Sequence, residues 1–422
     1  MTIPQRTTRR TTLAALLGTF FVSTACLNAQ PPPAPAAPVP QAPALTLDEV
    51  MAEALSASPA LAAARLGRTE AAARQEIARL RPNPELALEE SKDLPHDAAT
   101  LSLPIERGGK RQRRIALAAA QAQSGEAELA RLTAETRNQV RRAYFALAAA
   151  QSRTAETAEL ERLAESARDA ARARFEAGDV PRLDVLQAEL SAVQAASEAD
   201  RARGLLLGAR GGLNALLGRP LDSPLAASTG LDAGTVPSAD AALRLALAGS
   251  AELAVLDRGI AEQQAEVELA RAEAVRDVTA GAGVLHDAPP DFVWGWSAAL
   301  TFTLPVFSRG REQVRLEEAT LARLKAERDA AAARVRGEVA TAAAAAETQR
   351  QALLRFRDEI LPRAAEVERL AEDAYRSGQT DLAALLQSLQ AVHDLRLQAV
   401  QAGIEYQDAL ADLERAIGAP LP

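Results

Sequence analysis

The chain of 422 residues carries 48 lysines and arginines against 56 aspartates and glutamates, a formal charge of −8, which argues against a nucleic-acid-binding surface. Apolar residues make up 48% but aromatic ones only 3%, and a composition rich in alanine, glutamate, arginine and leucine suits long helices better than a core of large side chains. The single cysteine excludes a disulfide framework and a cysteine-based metal site, and the length suits two units of about 200 residues.

At the N-terminus Arg6, Arg9 and Arg10 precede an apolar run from Leu13 to Val22 and then small residues, the order of an export signal over 1–29. Cleavage after Ala29 fits the small-residue site Leu27-Asn28-Ala29; cleavage before Cys26 would leave a cysteine able to carry lipid, although Ser23 stands where such a site prefers leucine. Residues 30–44 are proline- and alanine-rich and read as an extended linker.

The next segment, 46–80, reads as one helix, followed by two short strands at 85–90 and 99–103. No proline occurs between Pro104 and Pro181, so a single helix over 108–177 would reach about 105 Å at 1.5 Å per residue, longer than any compact domain. Gly178-Asp179-Val180-Pro181 stops it: the glycine tolerates positive φ and the proline suits the first turn of a new helix. The returning helix runs to about Leu217, with Leu183, Leu186, Leu190 and Val193 spaced as a coiled-coil seam. Residues 222–237 then read as a second linker.

The rest repeats the first unit. Leu103-Pro104-Ile105 recurs as Leu304-Pro305-Val306, Phe175-Glu176-Ala177-Gly178 as Tyr375-Arg376-Ser377-Gly378, and Leu217-Gly218 as Ile417-Gly418. The implied units are 45–221 and 238–422. The second has a helix over 239–275, strands at 279–285 and 294–304, a long helix that Pro362 should kink or break, and a returning helix with Leu382, Leu385, Leu389 and Val392 as its seam. Measured from their glycines the two seams sit one residue apart.

From Trp294 to Leu304 the alternation is complete: Trp294, Trp296, Ala298, Leu300, Phe302 and Leu304 share one face, and Gly295, Ser297, Ala299, Thr301 and Thr303 the other. A strand of that length and pattern spans a bilayer when tilted, and tryptophans at one end suit an interfacial girdle. Four strands cannot close a barrel, and lipid does not tolerate open edges, so the chain must oligomerise. Three copies would supply twelve strands and wrap the helices into a tube.

Enzymatic and cofactor chemistry finds no support. Phosphate loops, nucleophile motifs and zinc-protease spacings are absent, and two methionines cannot form a ladder for soft metals. His96 and His286 fall in predicted loops, each before an aspartate, where solvated roles outweigh a metal contact, and His393 lies on the last helix. Arg107, Lys110, Arg111, Arg113 and Arg114 follow the second strand, and Arg309, Arg311 and Arg315 follow the fourth. Contact with lipid phosphates and plain solvation both suit them.

Through Arg142-Ala143-Tyr144-Phe145, Phe175-Glu176-Ala177-Gly178, Asp184-Val185 and the paired Leu-Pro landmarks, the sequence resembles the TolC-type outer-membrane efflux factors, nearest the CzcC-like heavy-metal branch. The resemblance spans about 45–421. It implies a mainly α fold with a small β part, in which duplicated helical hairpins build an α-barrel in the periplasm and four strands per chain enter a trimeric twelve-stranded barrel in the outer membrane. It also implies a homotrimer docked to a periplasmic adaptor and an inner-membrane pump, acting as a passive exit duct, with divalent metal cations as one candidate cargo. The alternatives are a periplasmic coiled-coil scaffold and the duct of a one-step (type I) protein exporter.

The resemblance further assigns the turns between long helices to the periplasmic tip, gate and adaptor contact: Phe175, Gly178, Asp179, Pro181 and Asp184, with Tyr375, Gly378, Gln379, Thr380 and Asp381. Asp184 and Tyr375 match positions of a tip-closing polar network, but Thr380 replaces its arginine. Ala384 and Gln387 stand where the best-known member has aspartates near its tip.

Overall fold

The computed structural model describes residues 43–421; the expected export signal, Cys26 and nearly all of the first linker lie outside the described residues. After a two-residue strand β1 (Ala44–Leu45), the first half comprises α1 (Leu47–Ala57), α2 (Pro59–Arg79), β2 (Glu85–Glu90), β3 (Asp97–Ile105), α3 (Lys110–Glu176) and α4 (Arg182–Leu217). A second short strand β4 (Ala226–Ala227) leads to α5 (Ala239–Gly249), α6 (Ala251–Glu273), β5 (Val278–Ala288), β6 (Phe292–Phe302), α7 (Arg311–Arg355), a π turn (Phe356–Ile360), α8 (Leu361–Arg376) and α9 (Leu382–Ile417). The second half retraces the first, except that α7, the π turn and α8 together stand where α3 does.

The helix expected over 46–80 is two helices, because Ser58 ends α1 and caps α2. Its hydroxyl accepts the Leu61 N–H, and Pro59, which has no N–H to lose, opens the new helix. Ser250 makes the same break in the second half and accepts the Leu253 N–H at 3.3 Å.

Pro362 has the expected consequence in a particular form. Its ring cannot follow an ordinary turn, and the chain widens over 356–360, where the Leu361 N–H reaches back five residues to the Phe356 carbonyl. The buried positions Val140, Tyr144 and Leu147 on α3 correspond to Val339, Ala343 and Ala346 on α7, whereas beyond the wide turn Ala164 corresponds to Ala364. The π turn therefore absorbs one residue and brings the two long helices back into step before their turns.

The α4 seam differs from expectation. Leu183, Leu186, Leu190 and Val193 are exposed, and Val185, Ala188, Ala192 and Ala195 are buried instead, at the same spacing. Small side chains let α4 lie close on α3, which offers Ala164, Ala167 and Ala171 in return. The α9 seam of Leu382, Leu385, Leu389 and Val392 is buried as read, the first three against Ala167, Ala171 and Ala188.

The second linker is anchored rather than loose. The Tyr144 hydroxyl donates to the Leu45 carbonyl at 2.9 Å and accepts the N–H groups of Ser228 and Thr229, beside the parallel pair β1–β4. Further along, Tyr406 donates to the Gly234 carbonyl and Gln407 to those of Leu231 and Ala233. Leu225 is fully buried in the core formed by Val50, Tyr144, Phe145, Leu147 and Leu213.

Candidate functional site: sheet, junction and helix turns

Apart from the β1–β4 pair, the strands form one antiparallel sheet in the order β2-β3-β5-β6. Directly opposed residues share a face. The register pairs Leu88 with Ala99, Ala99 with Val284 and Val284 with Trp296, and two residues along pairs Leu86 with Leu101, Leu101 with Ala282 and Ala282 with Ala298. One face is thus apolar across all four strands, and it holds Trp294, Trp296, Ala298, Leu300 and Phe302. Trp296 is 81% exposed. The opposite face carries Thr100, Ser102, Gly281, Gly283, Ser297 and Thr301.

Leu304, expected on the strand, lies beyond it. Pro305 cannot donate to a ladder, and the Val306 N–H turns back to the Leu304 carbonyl. The strand instead begins earlier, at Phe292. At the hairpin end the apolar face stops at a polar row, Glu90, Asp97 and His286, level with Trp294. His286 bonds Asp97 through Nδ1 at 3.0 Å and packs on the Trp294 ring. His96 lies in the turn before β3, its Nδ1 3.1 Å from the Ser91 carbonyl oxygen.

At the other end the strands pass into the long helices through Gly108, Gly109 and Gly310, all at positive φ. A Cβ on Gly108 would lie 2.8 Å from the Val275 side chain, and one on Gly310 would lie 2.9 Å from that of Ala274. Asp277 ties the halves together here, accepting from Lys110 Nζ at 2.7 Å and from the Arg107 N–H. The basic cluster is largely spent inside the molecule: Arg111 caps the Arg79 carbonyl, Arg113 pairs with Glu268, and Arg114 pairs with Glu106. Sequence reasoning did not single out these glycines, whose signal was their place between a Leu-Pro landmark and a helix start.

The far ends of the long helices close in matching turns. Gly178 N–H bonds the Phe175 carbonyl and Asp179 N–H that of Arg174; Gly378 and Gln379 repeat this with Tyr375 and Ala374. Both glycines have positive φ, 83° and 75°. Asp381 caps α9 by accepting the Ala384 N–H at 2.8 Å, and Pro181 stands at the equivalent place before α4. Tyr375 lies under the Arg174 guanidinium, 5.4 Å from its ring centroid, which joins the two turns. The Asp184 N–H bonds the Pro181 carbonyl, Phe175 is exposed, and Thr380 closes the second turn just before the cap.

Between the halves, α3 and α9 meet through charges. Arg141 pairs with Glu414 at 3.2 Å and bonds Gln407, and Arg142 reaches Asp408 at 3.0 Å and Asp412 at 2.8 Å. Burial pushes the Glu414 carboxyl above its ordinary value against the pull of Arg141 and Arg137. Further towards the turns His393 is buried, with Nε2 3.8 Å from Glu198. Among the described residues no three His, Cys, Asp or Glu side chains gather to hold a metal, and no helix is long and apolar enough to cross a membrane.

A family model described as outer membrane efflux protein matches residues 50–219 and 242–419. The cobalt-zinc-cadmium resistance protein CzcC of Cupriavidus metallidurans is 27% identical over 272 residues, which cover 63% of this chain and 64% of that protein. The chain thus spans a little under two thirds of that relative's length. Its fold is similar to that of CusC, with a TM-score of 0.72 at 16% identity over 92% of this chain and 98% of that one. VceC from Vibrio cholerae gives 0.71 at 16% identity over 89% and 97%. The Campylobacter jejuni CmeC outer membrane channel gives 0.72 at 16% identity over 88% and 85%.

Proposed function

The chain belongs to the outer membrane efflux protein family, and from that premise we propose that it is the passive outer-membrane duct of a tripartite efflux system, working as a homotrimer with a periplasmic adaptor and an inner-membrane pump. The observation that carries the reading is the sheet. An apolar face of four strands ends at two edges, β2 and β6, that have no partner strand within the described chain. Unpaired N–H and C=O groups cost several kcal/mol each in hydrocarbon, and about eight strands are needed to close a barrel. Three copies joined β6 to β2 remove every edge and yield twelve strands, with the apolar face towards lipid and the Thr/Ser/Gly face towards water.

The long helices then run into the periplasm, and the turns at 175–185 and 375–385 form the tip. In this reading Phe175, Gly178, Asp179, Pro181 and Asp184, with Tyr375, Gly378, Gln379, Thr380 and Asp381, meet the adaptor and close the duct. The Arg174–Tyr375 contact takes over work that a polar network through Asp184 would do. Similarity to a cobalt-zinc-cadmium resistance protein supports divalent cations as cargo. A conduction path needs no tight ligand set.

The test is extraction of outer membranes in mild detergent. Heat-sensitive trimers, together with restored cobalt, zinc or cadmium resistance when the gene is returned to a deletion strain, are the expected result. A soluble periplasmic monomer would favour the scaffold reading, and trimers that export a protein rather than ions would favour the one-step exporter.

A further inference from the structure

A cleft of about 680 Å³ opens where the two halves of the chain meet. Arg131, Arg137 and Arg142 of α3 line it from the first half; Ser250, at the break between α5 and α6, and Ala419, just after α9, line it from the second. The volume is that of a small-molecule site, and the charged lining suits a hydrophilic guest.

The charges around the cleft leave one group over. Its four carboxylates are taken: Glu135 by Arg131, Glu252 and Glu338 by Arg334, and Glu414 by Arg141. Three of its four guanidiniums are taken as well, Arg131 by Glu128 and Glu135, Arg142 by Asp408 and Asp412, and Arg415 by Asp412. Arg137 is the exception. Among the described residues it has no ion pair within 4 Å and no side-chain hydrogen bond, and its Nε is shut off from solvent without an acceptor. A guanidinium carries five N–H donors, and leaving them unmet in a half-buried place is costly. Ser250 is buried; its hydroxyl accepts the Leu253 N–H at 3.3 Å and keeps its own proton for a second partner.

The duplication shows what the cleft lacks. Ser58 makes the matching break in the first half, and beside it Arg219 and Glu53 join through two hydrogen bonds. Their counterparts in the second half are Ala419 and Leu245, neither of which carries a charge. The side chain that occupies this place in one repeat is cut back to a methyl group in the other.

We propose that the cleft is a binding site for a small oxyanion, a phosphate or a carboxylate, held by the Arg137 guanidinium with Ser250 Oγ as a second donor. The oxygens of either group match the guanidinium fork. Because Arg137 belongs to the first half and Ser250 to the second, a bound anion ties the halves together beside the Arg141–Glu414 pair. The inference does not rest on the duct reading, since every lining residue comes from one chain.

The experiment uses the full chain purified in detergent and follows thermal loss of helical circular dichroism in phosphate, in citrate and in sodium chloride of matched ionic strength. At about 10 mM anion, wild type should melt about 2 °C or more higher in phosphate or citrate than in chloride, with a rise that saturates. A rise in phosphate alone supports a phosphate site, and a rise in citrate alone a carboxylate site. Arg137→Gln should abolish the difference, whereas Arg336→Gln, which removes the exposed counterpart of Arg137 on α7, should keep it. No rise over chloride in wild type, an equal rise in Arg137→Gln, or loss of the rise in Arg336→Gln would overturn the proposal. Should Arg137→Gln fail to fold, Ala419→Glu takes its place: a carboxylate supplied by the chain should raise the midpoint in chloride and remove the response. A full response in that variant would also reject the site.

Discussion

Arg141 on α3 and Glu414 on α9, 273 residues apart in sequence, meet at 3.2 Å with only 11% and 10% of their side chains exposed. An ion pair so far from water is costly to break from one side, because the remaining charge is stranded. Arg141→Met should therefore lower stability by about 3–5 kcal/mol, and Arg141→Met with Glu414→Leu should recover most of that loss. Thermal loss of helical circular dichroism in detergent measures both, and equal losses in the single and double variants would remove the pair from the account.

The same carboxyl gives a pH dependence of defined sign. Burial raises Glu414 above its ordinary value despite Arg141 and Arg137, so the folded chain takes up this proton at higher pH than the unfolded chain does. Its contribution is complete below the unfolded value and is lost as pH rises through the folded one. Wild type should gain stability relative to Glu414→Gln as pH falls from about 7 to about 4. An unchanged difference across that range would mean that Glu414 titrates normally.

Ala298 lies on the apolar face of β6 and Thr301 on the other. Ala298→Arg should cost about 2–4 kcal/mol near the bilayer midplane, and Thr301→Arg should cost little. Trimer yield in outer membranes reports both, and equal tolerance would reverse the facing proposed for the sheet.

Gly178 and Gly378 have positive φ, yet a Cβ on either would meet nothing within 4 Å. Valine there strains the backbone without a clash, by about 1–3 kcal/mol each. The double variant Gly178→Val, Gly378→Val should assemble as trimers but export poorly. Full resistance in cells carrying it would detach these turns from gating and docking.

Tyr144 serves three backbone groups through one oxygen. Tyr144→Phe leaves them unsatisfied in a buried place and should cost about 1–3 kcal/mol. The linker should also become susceptible to protease near Ser228, and a variant as resistant as wild type would show that water replaces the hydroxyl.

Much of the molecule could be read before any coordinate was known. Alternation from Trp294 onward, prolines at the helix breaks and glycines at the turns are local instructions, each acting within a few residues. Even the wide turn at 356–360 was signalled by Pro362. The cap at Ser58 is equally local, but a helical alanine pattern runs through it and hides the break.

What the sequence could not reveal is which of two apolar stripes on α4 a helix would choose as its partner. Leu183, Leu186, Leu190 and Val193 have the spacing and the size, yet the alanine stripe beside them takes the intrachain contact, because packing depends on how closely α3 can approach. Arg141 and Glu414 were likewise two charges among many until the fold set them face to face. Periodicity along one helix is written in the chain, and it determined the hairpins, the strands and their duplication. Pairing between helices depends on shape and burial across hundreds of residues, and only the tertiary structure decided it.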